Sequence, residues 1–180
     1  VLNAVDNTLD WLFEKNYRNV IIEINNECDI KYKHEILQPE RVHEVIKRVK
    51  SKKQNGYRYL AGTSYSGGKI PKENVVRVSD FILIHGNGVH DPATITEMVR
   101  KTKAVEGYTP KPILFNEDDH FNFEDASNNF VNAVKAYASW GYFDYRMKEE
   151  GYENGYQTVP VNWEISSPRK IKFFKKLEEI

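Results

Sequence analysis

Short β-branched and aromatic runs alternate with amphipathic stretches from one end of this chain to the other. The runs fall at residues 19–25, 57–62, 80–85, 111–116 and 139–144. Each is too short for a typical helix and apolar enough to be a strand covered on both faces. The stretches between them carry apolar residues at helical spacing. Residues 3–15 place Val5, Leu9, Leu12 and Phe13 on one face, with Trp11 expected in the core. Pro39 opens a second helix that stops at Gly56, with Val42, Val45, Ile46 and Val49 as its stripe. Asp91 is an N-cap with Pro92 at the first helical position, and Ile95, Met98 and Val99 follow. Phe130, Val134 and Tyr137 mark a helix over 126–138, and Ser167-Pro168 opens a last one bearing Ile171, Phe174 and Leu177. Strand–helix alternation of this kind predicts parallel β/α units wound with one hand, an α/β fold.

Parallel units build either an open doubly wound sheet or a closed barrel. The open sheet would normally carry a glycine-rich turn after its first strand, and the chain has neither a GxGxxG nor a Walker-type loop. The barrel is therefore expected, with residues 1–180 as a single domain and no nucleotide cofactor. Lys+Arg and Asp+Glu number 26 each, and no polybasic block is present, which excludes nucleic acid and an anionic membrane face as partners. No apolar run approaches the roughly 18 residues of a membrane-spanning helix. Cys28, the single cysteine, forms no internal disulfide and no multi-thiolate metal site.

Function is signalled where the runs end. The first closes on Asn25-Asn26-Glu27, and the third on His85-Gly86-Asn87-Gly88-Val89-His90. The fourth closes on Asn116-Glu117-Asp118-Asp119-His120, and the fifth carries Trp140. In parallel β/α architectures these ends face one rim, where the βα loops build the site. Asp118 and Asp119 are equally well read as turn formers. Glu caps helices poorly, so Glu27 and Glu117 stand out as chemical groups. Trp140 and Trp163 supply aromatic faces that suit sugar rings. A metal reading of the same rim would use Glu117, Asp118, Asp119, His120 and His85 as ligands, although no fixed ligand spacing supports it.

Glu23-Ile24-Asn25-Asn26-Glu27 resembles the Glu-x-x-Asn-Glu signature ending the fourth barrel strand of clan A glycoside hydrolases of the cellulase and mannanase type. Phe81–His85 resembles their sixth strand, Ile113–Glu117 their seventh, and Trp140 sits where the eighth supplies a tryptophan. The resemblance implies an incomplete (β/α)8 TIM-type barrel, about strands four to eight. An N-terminal barrel segment is then expected upstream, leaving an exposed sheet edge at 19–25. It further implies a retaining hydrolase of poly- or oligosaccharides without metal or cofactor, secreted or periplasmic. Glu27 would be the acid/base and Glu117 the nucleophile. Asn26, His85, Asn87, His90, Asp119, His120, Trp140 and Trp163 would contact sugar, with Trp140 facing the cleft. The alternatives are a metal-dependent hydrolase and a non-catalytic carbohydrate-binding barrel.

Overall fold

A computed structural model describes residues 1–180 and places a parallel strand in each of the five runs, the fourth reaching one residue past its run to Glu117. β1 (Ile21–Glu23) pairs with β2 (Leu60–Gly62) as a two-stranded sheet. β3 (Ile82–His85), β4 (Ile113–Glu117) and β5 (Ser139–Trp140) form a second sheet with β4 in the middle. The barrel expectation is overturned. The strands make two small sheets, of two and three strands, and not the continuous run of barrel strands four to eight.

Arg58, just before β2, turns aside to grip Asp80 with two hydrogen bonds of 2.7 and 2.8 Å. Beyond Trp140 the backbone makes one further bond, from Gly141 N–H to the Phe115 carbonyl, and then enters a long irregular segment. β2 and β3 abut without a ladder. The Asp80 N–H donates to the Ala61 carbonyl at 3.0 Å, and its carboxylate accepts the Ala61 N–H at 3.0 Å.

Asp80 is the knot between the sheets, with Lys50 completing its shell at 3.0 Å. Burial opposes its charge, but the hydrogen bonds from Arg58, Ala61 and Lys50 outweigh burial and hold the carboxyl at about 2. A carboxyl lowered by folding adds stability above its unfolded value near 3.8, and that stability is lost as pH falls through about 2. Asp80→Asn should therefore cost about 1 kcal/mol at neutral pH, a figure reduced from the full shift because Arg58 is partly solvated. Urea titrations of the two proteins should differ at pH 7 and converge between about pH 4 and 2.

Six α-helices cover the sheets. α1 (Leu2–Glu14) and α2 (Val42–Ser51) pack Leu9, Leu12, Phe13, Val42, Ile46 and Val49 around β1 and β2. α4 (Pro92–Lys103), α5 (Asn129–Lys135) and α6 (Pro168–Glu178) enclose β3–β5 in a larger core rich in rings. Side chains of Asp91, Asn128 and Ser167 accept the N–H groups of Ala93, Val131 and Lys170, so three helices begin on capping oxygens.

Four details depart from the periodicity. α3 (Glu73–Val78), a six-residue helix, was not indicated by any cap or long stripe. Tyr137 lies past the end of α5 in a left-handed conformation and is 90% exposed. Trp11 is half exposed and packs edge-on against Tyr17. α6 buries Phe173 and the stem of Lys170 while leaving Ile171 and Leu177 exposed, because Lys170 Nζ finds the Asn162 carbonyl at 2.7 Å and the Tyr156 ring at 4.1 Å. β1 has no strand on its outer side, and Ile21 there is 55% exposed. An apolar groove of about 350 Å³, lined by Val5, Leu9, Ile22, Ile24 and Leu37, runs alongside it.

Candidate active site

The loop after β1 and the C-terminal ends of β3 and β4 bring Glu27, His85 and Glu117 together. His85 Nδ1 lies 3.0 Å from Glu27 Oε1 and 3.7 Å from Glu117 Oε2. One ligand atom from each of the three residues falls within 4.8 Å of the others. His85 is fully buried, whereas the two carboxylates keep about a fifth of their surface, 21% and 20%, open to solvent. With a carboxylate on each side, Nδ1 carries the proton and donates it. Nε2 is buried with no partner.

Local backbone irregularities aim both glutamates. β3 and β4 run in register from Ile82 to Ile84, then a bulge admits Asn116 as an extra residue, so His85 faces Glu117. A bulge of one residue re-aims the side chain that follows it. Asn87 Nδ2 then donates to Glu117 Oε2 at 3.2 Å. Glu27 has φ +49°, a left-handed conformation uncommon for a non-glycine residue. Ser64 holds it there. Its hydroxyl accepts the Glu27 N–H at 2.8 Å, and its carbonyl accepts the Cys28 N–H at 2.9 Å. Strain of this kind persists where neighbours over-determine it. Asp29 adds a second tie, accepting from the Ser66 N–H at 2.7 Å and its hydroxyl at 2.6 Å.

A third carboxyl stands behind the pair. The Ser64 hydroxyl donates to Glu23 Oε1 at 2.5 Å. Burial pushes the Glu23 carboxyl up, with the Glu117 charge adding to the rise and the Ser64 hydrogen bond opposing it. Folding thus raises this carboxyl, so its contribution favours the fold below the ordinary carboxylate range and is lost as pH rises through the folded value. The stability of Glu23→Gln relative to the parent should accordingly increase between pH 4 and pH 7. Denaturant midpoints at the two pH values measure it, and a relative stability that falls with pH would contradict the assignment.

The remaining residues expected at the rim divide. Asn26 is exposed beside Glu27, its side-chain oxygen 3.3 Å from the Ser64 hydroxyl. Asp118 is fully buried and is hydrogen-bonded to neither glutamate. It accepts from Trp140 Nε1 at 3.0 Å, Asn129 Nδ2 at 3.1 Å and His120 Nδ1 at 2.7 Å. Gly86 is needed here, because a Cβ on it would stand 2.2 Å from Asp118 Oδ2. Trp140 is consequently not a cleft residue. It is 9% exposed and packed among Phe123, Phe130 and Phe173. Trp163 is 76% exposed and stacks on Tyr156, in the irregular segment before α6 and without contact to the glutamate pair.

His90, Asp119 and His120 gather into a second cluster. His120 Nε2 is 3.1 Å from His90 Nδ1, and Asp119 Oδ1 is 3.2 Å from His120 Nδ1. The acidic and histidine rim considered as one metal site is thus two separate groups, one around His85 and one around His120. Cys28 is buried, and burial pushes its thiol up to about 12, which removes it as a nucleophile.

Ser64 and the buried role of Asp118 had no sequence signal that singled them out. Ser64 lies in a polar loop whose residue types suit any turn, and Asp118 reads as a turn former. Against known proteins, the chain matches no family model, no curated protein and no solved structure.

Proposed function

We propose that this chain carries the chemistry of a retaining glycoside hydrolase acting on a poly- or oligosaccharide, with Glu117 as nucleophile and Glu27 as acid/base. The observation that carries the reading is the pair of carboxylates, one from the loop after β1 and one from the end of β4, of which one oxygen each lies within 4.8 Å of the other and of a His85 ring nitrogen. Retaining enzymes hold their two carboxyl groups about 5 to 5.5 Å apart, whereas inverting ones leave room for a water at roughly 6.5 to 9.5 Å.

In the first step Glu117 attacks the anomeric carbon while Glu27 protonates the departing oxygen. In the second, Glu27 takes a proton from water, which displaces Glu117 and releases the sugar with its configuration kept. The His85 N–H, donated between the carboxylates, stabilises whichever of them carries charge at each step. Asn87 holds Glu117 Oε2, and Ser64 fixes the backbone of Glu27. Asn26, exposed beside Glu27, is the group available to sugar hydroxyls.

Dinitrophenyl 2-deoxy-2-fluoroglycosides test this directly, because the fluorine slows both oxocarbenium-like steps while the good leaving group keeps the first faster than the second, so the glycosyl–enzyme accumulates. Peptide mass mapping should find the adduct on Glu117. Adduct on another residue, or turnover with inverted product and no adduct, would refute the assignment. A metal-assisted attack by water would form no glycosyl–enzyme, so the same experiment separates that reading. Binding of sugar without turnover would favour the non-catalytic one.

A further inference from the structure

The geometry points to a divalent transition-metal site formed by His90 and His120, separate from the glutamate pair. The two residues lie on different loops, His90 between β3 and α4 and His120 after β4. His90 Nδ1 and His120 Nε2 are 3.1 Å apart, with the rings crossing at 76°. Two nitrogens bound to one tetrahedral zinc at 2.0–2.1 Å stand about 3.3 Å apart, so the pair is already at ligand spacing.

The surroundings prepare His120 as a ligand. Asp118 is fully buried and accepts the His120 Nδ1 proton at 2.7 Å, so Nε2 keeps its lone pair, which accepts from His90 Nδ1 in the metal-free protein and which an ion would take once His90 Nδ1 gives up its proton. A carboxylate behind a histidine in this way fixes its tautomer and raises its basicity toward a metal. Asp118 is itself immobilised by Trp140 and Asn129, so the ring it holds is anchored to the core. Asp119, 3.2 Å from His120 Nδ1, adds a second negative charge beside the site. His90 is exposed, leaving the outer side of the pair open to an ion and to the waters that would complete its shell.

Imidazole donors select zinc, nickel or copper over magnesium and calcium, which prefer oxygen. A bound ion would clamp the loop carrying Asn87 to the segment that follows Glu117. The inference does not depend on the glycosidase reading, since neither histidine touches Glu27 or Glu117.

Zinc and cobalt titrations of the full chain provide the test, read by calorimetry, by the visible absorption of cobalt and by the zinc-induced rise in melting temperature. One ion per chain is expected. His90→Ala removes an exposed side chain and should fold normally, yet lose at least tenfold in affinity together with the thermal shift. Asp118→Asn, if folded, should weaken binding by about 10- to 100-fold while both ligands remain. His34→Ala, an exposed histidine elsewhere, should bind as the parent does. No zinc response in the parent, or affinity unchanged in His90→Ala, overturns the site. Calcium binding as tightly as zinc would overturn it equally.

Discussion

Glu117→Gln should reduce turnover by at least about 10³-fold on every glycoside the parent cleaves, because an amide cannot form the glycosyl ester on which the two-step route depends. Folding should be unaffected, since the side chain keeps its shape and remains within reach of Asn87 Nδ2. Added azide should restore part of the rate by attacking the anomeric carbon in place of the missing carboxylate, giving a glycosyl azide of opposite configuration. Glu27→Gln should behave differently. Substrates with unactivated leaving groups should slow by about 10²- to 10⁴-fold, the usual worth of general acid catalysis, while dinitrophenyl glycosides, which need no proton, are cleaved in the first step nearly as before. Equal losses for both variants on both substrate classes would remove the division of labour. A melting temperature lowered along with activity would show that the pair holds the fold together instead.

The largest effect on stability is expected from Phe173→Ala. This ring reaches from α6 into the core of the second sheet, stacked on Tyr142 at 4.3 Å and packed against Phe123 at 5.3 Å and Phe130 at 5.6 Å. Truncating a buried phenylalanine costs about 3 to 5 kcal/mol, from lost transfer energy and from the cavity left among neighbours that cannot collapse. Domains of this size are commonly stable by only about 5 to 15 kcal/mol, so the variant should melt far below the parent. Ile171→Ala, two residues earlier on the other side of α6 and 39% exposed, should change the melting temperature little. Comparable losses in the two variants would mean that α6 packs by its other face.

The periodicity of the chain placed all five strands and most helices, because β-branched runs and 3.6-residue stripes are local properties. The polar residues at the strand ends were legible for the same reason: Glu27, His85 and Glu117 stand where apolar runs stop. How the strands associate was not legible. That β2 meets β3 through Asp80, held by Arg58 across 22 residues, and not through a ladder is a long-range arrangement that no window of sequence contains. The bulge at Asn116 was hidden in the same way, since an extra residue becomes visible only against its partner strand. Trp140 was misplaced because an indole at a strand end suits a sugar and a core equally. The Asp118 carboxylate that captures its N–H decides for the core. α6 misled by composition, as three apolar residues of its stripe outvoted Phe173 and a lysine whose stem is buried.

The open side of β1 has a colloidal consequence. A row of unpaired backbone donors and acceptors templates another strand, and soluble proteins usually blunt such rows with charge. Here the outermost residue is the exposed Ile21, and the chain as a whole has a formal net charge of zero at pH 7. Long-range repulsion between molecules is therefore weakest near neutrality, where nothing but short-range hydration keeps one edge from meeting the next. Solubility should pass through a minimum close to pH 7 and rise on either side as charge accumulates. A single lysine in place of Ile21 should lift that minimum with little change to the core.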